Sequence, residues 1–218
     1  MTSAARLDAS AAARELVHAL VAADADDATF TRTAAIVRDA LAQLEHAPRL
    51  ERTVPDFAAG GAPHDPTGPD PMSDRAVAGS ANPTAVRLET RRDGADAVAD
   101  VWFGPAFVGA PGRVHGGMVA AVFDDITGWI LRDVREPGFT GRLEVSYRAP
   151  VPIEALVEFR ARMRSREGRK MVVEAEARIE DRVLATAEAL FILVDAEHFA
   201  TDAGELLARP ARDRHGGP

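Results

Sequence analysis

Between Leu156 and Ser165 apolar and charged side chains alternate. Val157, Phe159, Ala161 and Met163 fall on one side, and Glu158, Arg160, Arg162 and Arg164 on the other. Period-two sorting is the mark of an extended strand, here one in a sheet with one buried face and one wet face. Leu143 to Ala149, Met171 to Ile179 and Val183 to Val194 read as further strands. Glu167-Gly168 and Glu180-Asp181 sit where hairpin turns are needed. Strands joined by turns this short run antiparallel. Upstream, Val86, Leu88 and Thr90 alternate with Arg87 and Glu89, and Val98 to Phe103 follows as a second strand.

Between the two early strands and the four later ones lies one helical stretch, roughly Gly117 to Arg132. It is apolar nearly all round: Met118, Val119, Ala121, Val122, Phe123, Ile126, Trp129 and Ile130. Such a helix is buried. The expected class is therefore α+β, a long antiparallel sheet curled round one central helix. Trp129, Phe123 and Met118 are candidates either to line a tunnel or to fill the core.

Three other regions differ in texture. Residues 1–50 read as an Ala-rich helical extension, with Leu16, Val17, Leu20 and Val21 as one apolar stripe and Ile36, Val37, Ala40, Leu41 and Leu44 as another, split near Asp24 to Asp27. A helical cover over exposed core surface is favoured there over a regulatory or dimer-packing arm. Residues 51–83 are rich in Pro and Gly and read as a linker. The strand-bearing domain spans 84–195, and 196–218 form a polar tail.

The composition excludes several functions. Lys and Arg total 26 against 34 Asp and Glu, a net charge of -8, which repels a phosphate backbone and argues against nucleic acid as partner. No cysteine is present, so thiolate chemistry and disulfides are excluded, and a cytoplasmic location is expected. No stretch approaches the roughly 18 apolar residues of a membrane span, and Met1 to Ser10 shows no apolar run behind a basic cap, so no secretory signal is expected. Phosphate-loop, His-Glu-x-x-His and Gly-x-Ser-x-Gly patterns are absent. His18, His46, His64, His198 and His215 are scattered without ligand spacing, so no metal is expected.

The chemistry concentrates between Gly104 and Asp125. A Gly/Pro loop leads into His115-Gly116-Gly117, where the buried helix begins. Glycine lets backbone approach a ligand closely. The first turn of a helix offers unpaired N–H groups and partial positive charge, able to polarise a carbonyl and hold a developing oxyanion. Asp124 and Asp125 lie two turns on, and carboxylates in an apolar helix are costly unless paired or functional. Asp124 follows His115 by nine positions, and nine steps at about 100° put it on the opposite side of the helix. Two helices side by side in a dimer would bring the two features to one substrate.

The run from His115-Gly116-Gly117 to Asp124 resembles the motif of hotdog-fold acyl-CoA thioesterases, of the phenylacetate-pathway (PaaI-like) type and thioesterase superfamily members 4 and 5. The resemblance extends through Thr140-Gly-Arg-Leu-Glu-Val-Ser-Tyr-Arg-Ala-Pro-Val-Pro and Glu167-Gly-Arg-Lys170, from about Val101 to Val194. It implies a hotdog fold and a thioesterase of lipid metabolism that hydrolyses a fatty or aromatic acyl-CoA to free acid and CoA. CoA enters as part of the substrate, with no separate cofactor. By the same resemblance Gly117 N–H binds the thioester carbonyl, and His115 shapes the loop or contacts substrate. Asp124 acts as general base or nucleophile, and Thr140 helps position the water. The glycine turn and the carboxylate come from opposite subunits of a homodimer, with assembly into tetramers left open. One departure is Gly109, where some relatives carry Asn.

The CoA phosphates need local positive charge. Arg148, Arg169 and Lys170 are candidates, with Gly116 and Gly168 offering close backbone approach; for Arg169 and Lys170 the alternative is a solvated turn. Asp125 is expected to be structural, a cap or a bridge to a second subunit. Two other functions compete. A hotdog hydratase or dehydratase would rely on a His–carboxylate acid–base pair. A non-catalytic acyl-CoA-binding protein would keep the pocket but lack an effective base.

Overall fold

A computed structural model describes residues 3–48, 73–134 and 136–194. The expected linker up to residue 72 and the tail from residue 195 lie outside the described residues.

Two helices open the chain, α1 (Ala4–Ala22) and α2 (Asp27–Glu45). Ser3 caps the first by accepting from Arg6 N–H, and Asp26 caps the second by accepting from Thr29 N–H, each satisfying a first-turn donor. Then come β1 (Arg87–Asp93), β2 (Asp96–Trp102), a single 3-10 turn (Pro105–Phe107) and the short strands β3 (Val108–Ala110) and β4 (Arg113–Val114). The central helix α3 (Gly116–Trp129) follows, then one further turn, α4 (Leu131–Val134), and the strands β5 (Gly138–Tyr147), β6 (Leu156–Glu167), β7 (Lys170–Ile179) and β8 (Arg182–Leu193). The small β3–β4 hairpin carries no sequence signal of its own. The expected helix to Arg132 is instead two pieces, broken at Ile130.

Six strands form one antiparallel sheet in the order β1-β2-β6-β7-β8-β5. Gly168 (φ 55°) and Glu180 (φ 52°) adopt left-handed backbone in the expected β6–β7 and β7–β8 turns. The sheet wraps α3, which touches β2, β5, β6, β7 and β8. Val119, Val122, Phe123, Ile126 and Thr127 of the helix are buried. Phe123 packs edge-on against Phe159 of β6 at 5.0 Å, so it fills the core rather than lining a tunnel. Removing either ring would cost about 3–5 kcal/mol. The buried Thr127 hydroxyl donates to Phe123 C=O at 2.8 Å, so no polar atom is stranded there. Trp129 is half-buried beneath the Arg92 and Arg132 guanidinium groups, 4.2 and 5.2 Å from its ring centre.

The alternation in β6 holds through Val157, Phe159 and Ala161, each at most 1% exposed, but Met163 is 45% exposed. The register shifts between Met163 and Ser165, and such a bulge ends the two-face sorting. The wet face carries ion pairs, Arg162 with Glu174 at 2.7 Å, Arg164 with Glu188 at 2.7 Å, and Arg160 with Asp93 at 2.8 Å and Asp96 at 3.0 Å. Exposed pairs of this kind contribute at most about 1 kcal/mol each.

The N-terminal helices differ from the expected arrangement. α1 does not dock through Val17, Leu20 and Val21, which are 42–54% exposed. It docks through Ser10, Arg14 and His18, spaced four apart and so on one face. Ser10 Oγ donates to Ala81 C=O at 2.9 Å, Arg14 Nη2 donates to Asn82 C=O at 2.8 Å, and His18 Nδ1 accepts from Ala106 N–H at 3.1 Å. The surface beneath α1 presents loop backbone groups, and buried backbone requires polar partners rather than apolar ones. α2 has no buried residue, and Ile36, Leu41 and Leu44 are 53–70% exposed.

Candidate active site

Two clusters hold the candidate residues, at opposite ends of β5 and β8. The first surrounds the start of α3. His115 is the helix N-cap, and its ring Nδ1 accepts from Gly117 N–H at 3.0 Å. An accepting Nδ1 is unprotonated, which fixes the tautomer with the proton on Nε2. The Gly117 donor is therefore capped by the ring of His115, two residues back, and a carbonyl oxygen reaching it must displace that ring. The β3–β4 hairpin presses on the same point. A Cβ at Gly109 would lie 2.6 Å from His115 Cα, so this backbone leaves no room for the Asn of some relatives. Tyr147, at the end of β5, donates its hydroxyl to Gly116 C=O at 2.7 Å. A cleft of about 340 Å³ opens beside it, lined by Arg113, Gly116, Val119, Tyr147, Arg148 and Val151 among others. Tyr147 and Arg113 were not among the sequence candidates. A usable signal existed for Tyr147: it is the chain's one tyrosine and lies inside the Ser-Tyr-Arg-Ala-Pro run.

The second cluster surrounds Asp124. Its Oδ1 accepts from the Thr140 hydroxyl at 3.0 Å, and the carboxylate is exposed. Thr140 pairs with Phe191 of β8, as does Met171 of β7, and Lys170 pairs with Ile192. The Gly168–Lys170 turn thus sits at the same end of the sheet as Asp124. Lys170 is exposed, while Arg169 is tied in: its Nε donates to Leu193 C=O at 2.9 Å, and its own C=O accepts from Leu193 N–H at 2.7 Å. Asp125, next to Asp124 but half-buried, pairs with Arg75 Nη1 at 3.8 Å, tying α3 to the loop ahead of β1.

The separation follows from register. Tyr147 pairs with Ala185 and Thr140 with Phe191, and six residues of strand span about 20 Å. Along α3, nine residues from His115 to Asp124 rise about 13 Å. Arg148 belongs with the glycine turn, while Gly168, Arg169 and Lys170 belong with Asp124. Within one chain the two halves do not meet. Among the described residues no group of three or more His, Asp or Glu could hold a metal ion, and no helix is long and apolar enough to cross a membrane.

An antiparallel six-stranded sheet wrapped round one buried helix, with a capped glycine turn and a carboxylate on that helix, is a hotdog domain. The family model of the thioesterase superfamily matches residues 111–186, within this sheet-and-helix part of the chain. A solved thioesterase superfamily protein is similar over 87% of this chain and 96% of its own, at 28% identity and a TM-score of 0.72. Acyl-coenzyme A thioesterase THEM4 of Mus musculus is 35% identical over 91 residues, 41% of this chain and 39% of its own length. The Bos taurus protein of that name is 31% identical over 100 residues, 45% and 41% respectively. The chain thus spans about two-fifths of the length of these curated relatives.

Proposed function

We propose that this protein hydrolyses acyl-CoA thioesters as a homodimer in which each active site takes its glycine turn from one copy and its carboxylate from the other. The observation that carries the reading is the Thr140–Asp124 hydrogen bond at 3.0 Å, about 13 Å along α3 from the helix N-terminus that would hold the carbonyl. The superfamily match and the THEM4 relatives support the reaction class.

In this reading the thioester carbonyl oxygen displaces His115 Nδ1 from Gly117 N–H. The positive end of α3 then stabilises the oxyanion. In the other copy, Thr140 holds Oδ1 of its own chain's Asp124 and leaves Oδ2 to take a proton from water. The hydroxide equivalent attacks the carbonyl carbon, and the tetrahedral intermediate collapses with cleavage of the C–S bond. The proton passes from Asp124 to the departing CoA sulfur, leaving a free acid and CoA. Gly116, Arg148, Gly168, Arg169 and Lys170 would contact the substrate, the charged ones facing phosphate. No cofactor or metal is required. A fatty or aromatic acyl group, a place in lipid metabolism beside PaaI-like enzymes, and a cytoplasmic setting complete the reading; a chain without cysteine suits a reducing compartment.

A hydratase would need a histidine poised for acid–base work. His115 instead spends Nδ1 on the helix cap, which favours hydrolysis. The test is thiol release from a panel of acyl-CoA esters by wild type and Asp124→Asn. Loss of kcat by about 10²–10⁴-fold with binding retained is expected. Unchanged turnover in the variant would sink the assignment.

A further inference from the structure

α1 reaches the active-site turn through one side chain. The His18 ring lies edge-on to Trp102 and Phe107, at centroid distances of 5.5 and 5.3 Å, and its Nδ1 accepts from Ala106 N–H at 3.1 Å. Gly104 permits the approach, since a Cβ there would lie 2.6 Å from the His18 ring and 2.5 Å from Trp102. The turn is closed by Phe107 N–H donating to Gly104 C=O at 3.0 Å, and Phe107 C=O accepts from His115 N–H at 2.8 Å. An unbroken path thus runs from His18 through the 105–107 turn to the backbone of His115, the residue whose ring caps Gly117.

We infer that His18 is a positioning residue for the thioester site, with α1 acting as a strut that holds the 105–107 turn and, through Phe107, the His115 cap. The inference rests on the proposed thioesterase reading for its effect on turnover, but not for the mechanical link. Burial, with a smaller contribution from the Arg14 charge, holds the His18 pKa below its ordinary value, which favours the unprotonated Nδ1 that the bond to Ala106 needs. The solved thioesterase superfamily protein aligns over 87% of this chain, more than the sheet domain alone supplies, so the N-terminal segment is part of the shared structure.

The experiment compares wild type, His18→Ala and His18→Asn as full chains, first checked for folding by thermal melting. Amide hydrogen exchange is read over residues 104–118, and kcat and KM on an acyl-CoA ester. His18→Ala is expected to speed exchange at Ala106 and His115 and to lower kcat, both by about five- to tenfold, with KM nearly unchanged, since one hydrogen bond is removed. His18→Asn, whose carbonyl can accept from Ala106 N–H, should restore both. Unchanged exchange over 104–118 in His18→Ala overturns the link whether or not the protein is active. Faster exchange with unchanged kcat overturns the positioning role. A wild type inactive on every acyl-CoA overturns the hydrolase reading instead, while exchange still decides the link.

Discussion

The Thr140 hydroxyl donates to Asp124 Oδ1 at 3.0 Å, joining the edge strand β5 to the third turn of α3. The bond fixes one carboxylate oxygen and leaves the other for a ligand. Thr140→Val should therefore misplace the base without removing it. A hydrogen bond to a charged group contributes about 1.5–3 kcal/mol, toward the lower figure for an exposed pair, so kcat should fall about tenfold. Steady-state kinetics on one acyl-CoA check this, and a fall as large as that of Asp124→Asn would show that Thr140 does more than orient.

Because the two clusters lie at opposite ends of β5, separately inactivated copies should rescue each other. Gly117→Pro, which removes the N–H that would hold the carbonyl, and Asp124→Asn, each alone, should lose activity. Co-expressed in equal amounts, half the dimers are mixed and each mixed dimer holds one intact site, so about a quarter of wild-type turnover should return. No recovery, with mixed dimers verified by mass spectrometry, would place both groups in one chain's site.

Arg169 has a structural duty that a solvated turn residue would lack. Its Nε holds Leu193 C=O at 2.9 Å. Arg169→Ala should lower Tm by roughly 2–4 °C, from the loss of about 1 kcal/mol. If the remaining guanidinium nitrogens meet phosphate, KM for an acyl-CoA should also rise while KM for the matching pantetheine thioester stays level. Equal KM changes for the two would confine Arg169 to the structural duty.

Asp125 should separate from its neighbour in a stability assay. Its pair with Arg75 at 3.8 Å is largely shielded, with side chains 14% and 24% exposed. Asp125→Asn is expected to cost about 1 kcal/mol, or roughly 2–4 °C in Tm. kcat/KM should stay within about twofold, as for substitutions away from the chemistry. A collapse of kcat with Tm intact would move Asp125 into the reaction.

His18 makes the docking of α1 sensitive to pH. Its folded pKa is depressed from 6.5, first by burial and then by Arg14. Above the unfolded value both states are neutral and the docking contribution is complete. As pH falls below about 6.5 the unfolded chain takes up a proton that the folded chain resists, and stability declines until the folded pKa is passed. The difference in Tm between wild type and His18→Asn should therefore shift against wild type as pH falls below about 6.5. A pH-independent difference would remove the coupling.

Much of this molecule is local. The strands around Phe159, Ala175 and Ala187, the turns at Gly168 and Glu180, and the buried run of α3 follow from periodicity and turn chemistry, which act over a few residues. The half-turn between His115 and Asp124 is likewise a property of helix pitch. The exposure of Met163 was not legible, because a bulge depends on how two strands meet. The docking face of α1 was not legible either. Its apolar stripe at Val17, Leu20 and Val21 suggested one face, but the surface it meets offers the C=O groups of Ala81 and Asn82 and the N–H of Ala106. Partners for backbone groups are chosen by what is left unsatisfied after the rest has folded.

The sequence by itself determined the sheet, the buried helix, the glycine turn and the carboxylate, because each is written in spacing. Tertiary structure alone decided that Thr140 meets Asp124, that Tyr147 meets Gly116, that His115 caps Gly117 and that His18 reaches Ala106. Three of these four contacts join distant segments and exist only once β5 and α1 close over the core. The His115 cap is the local one, and the β3–β4 hairpin is seated against it at Gly109.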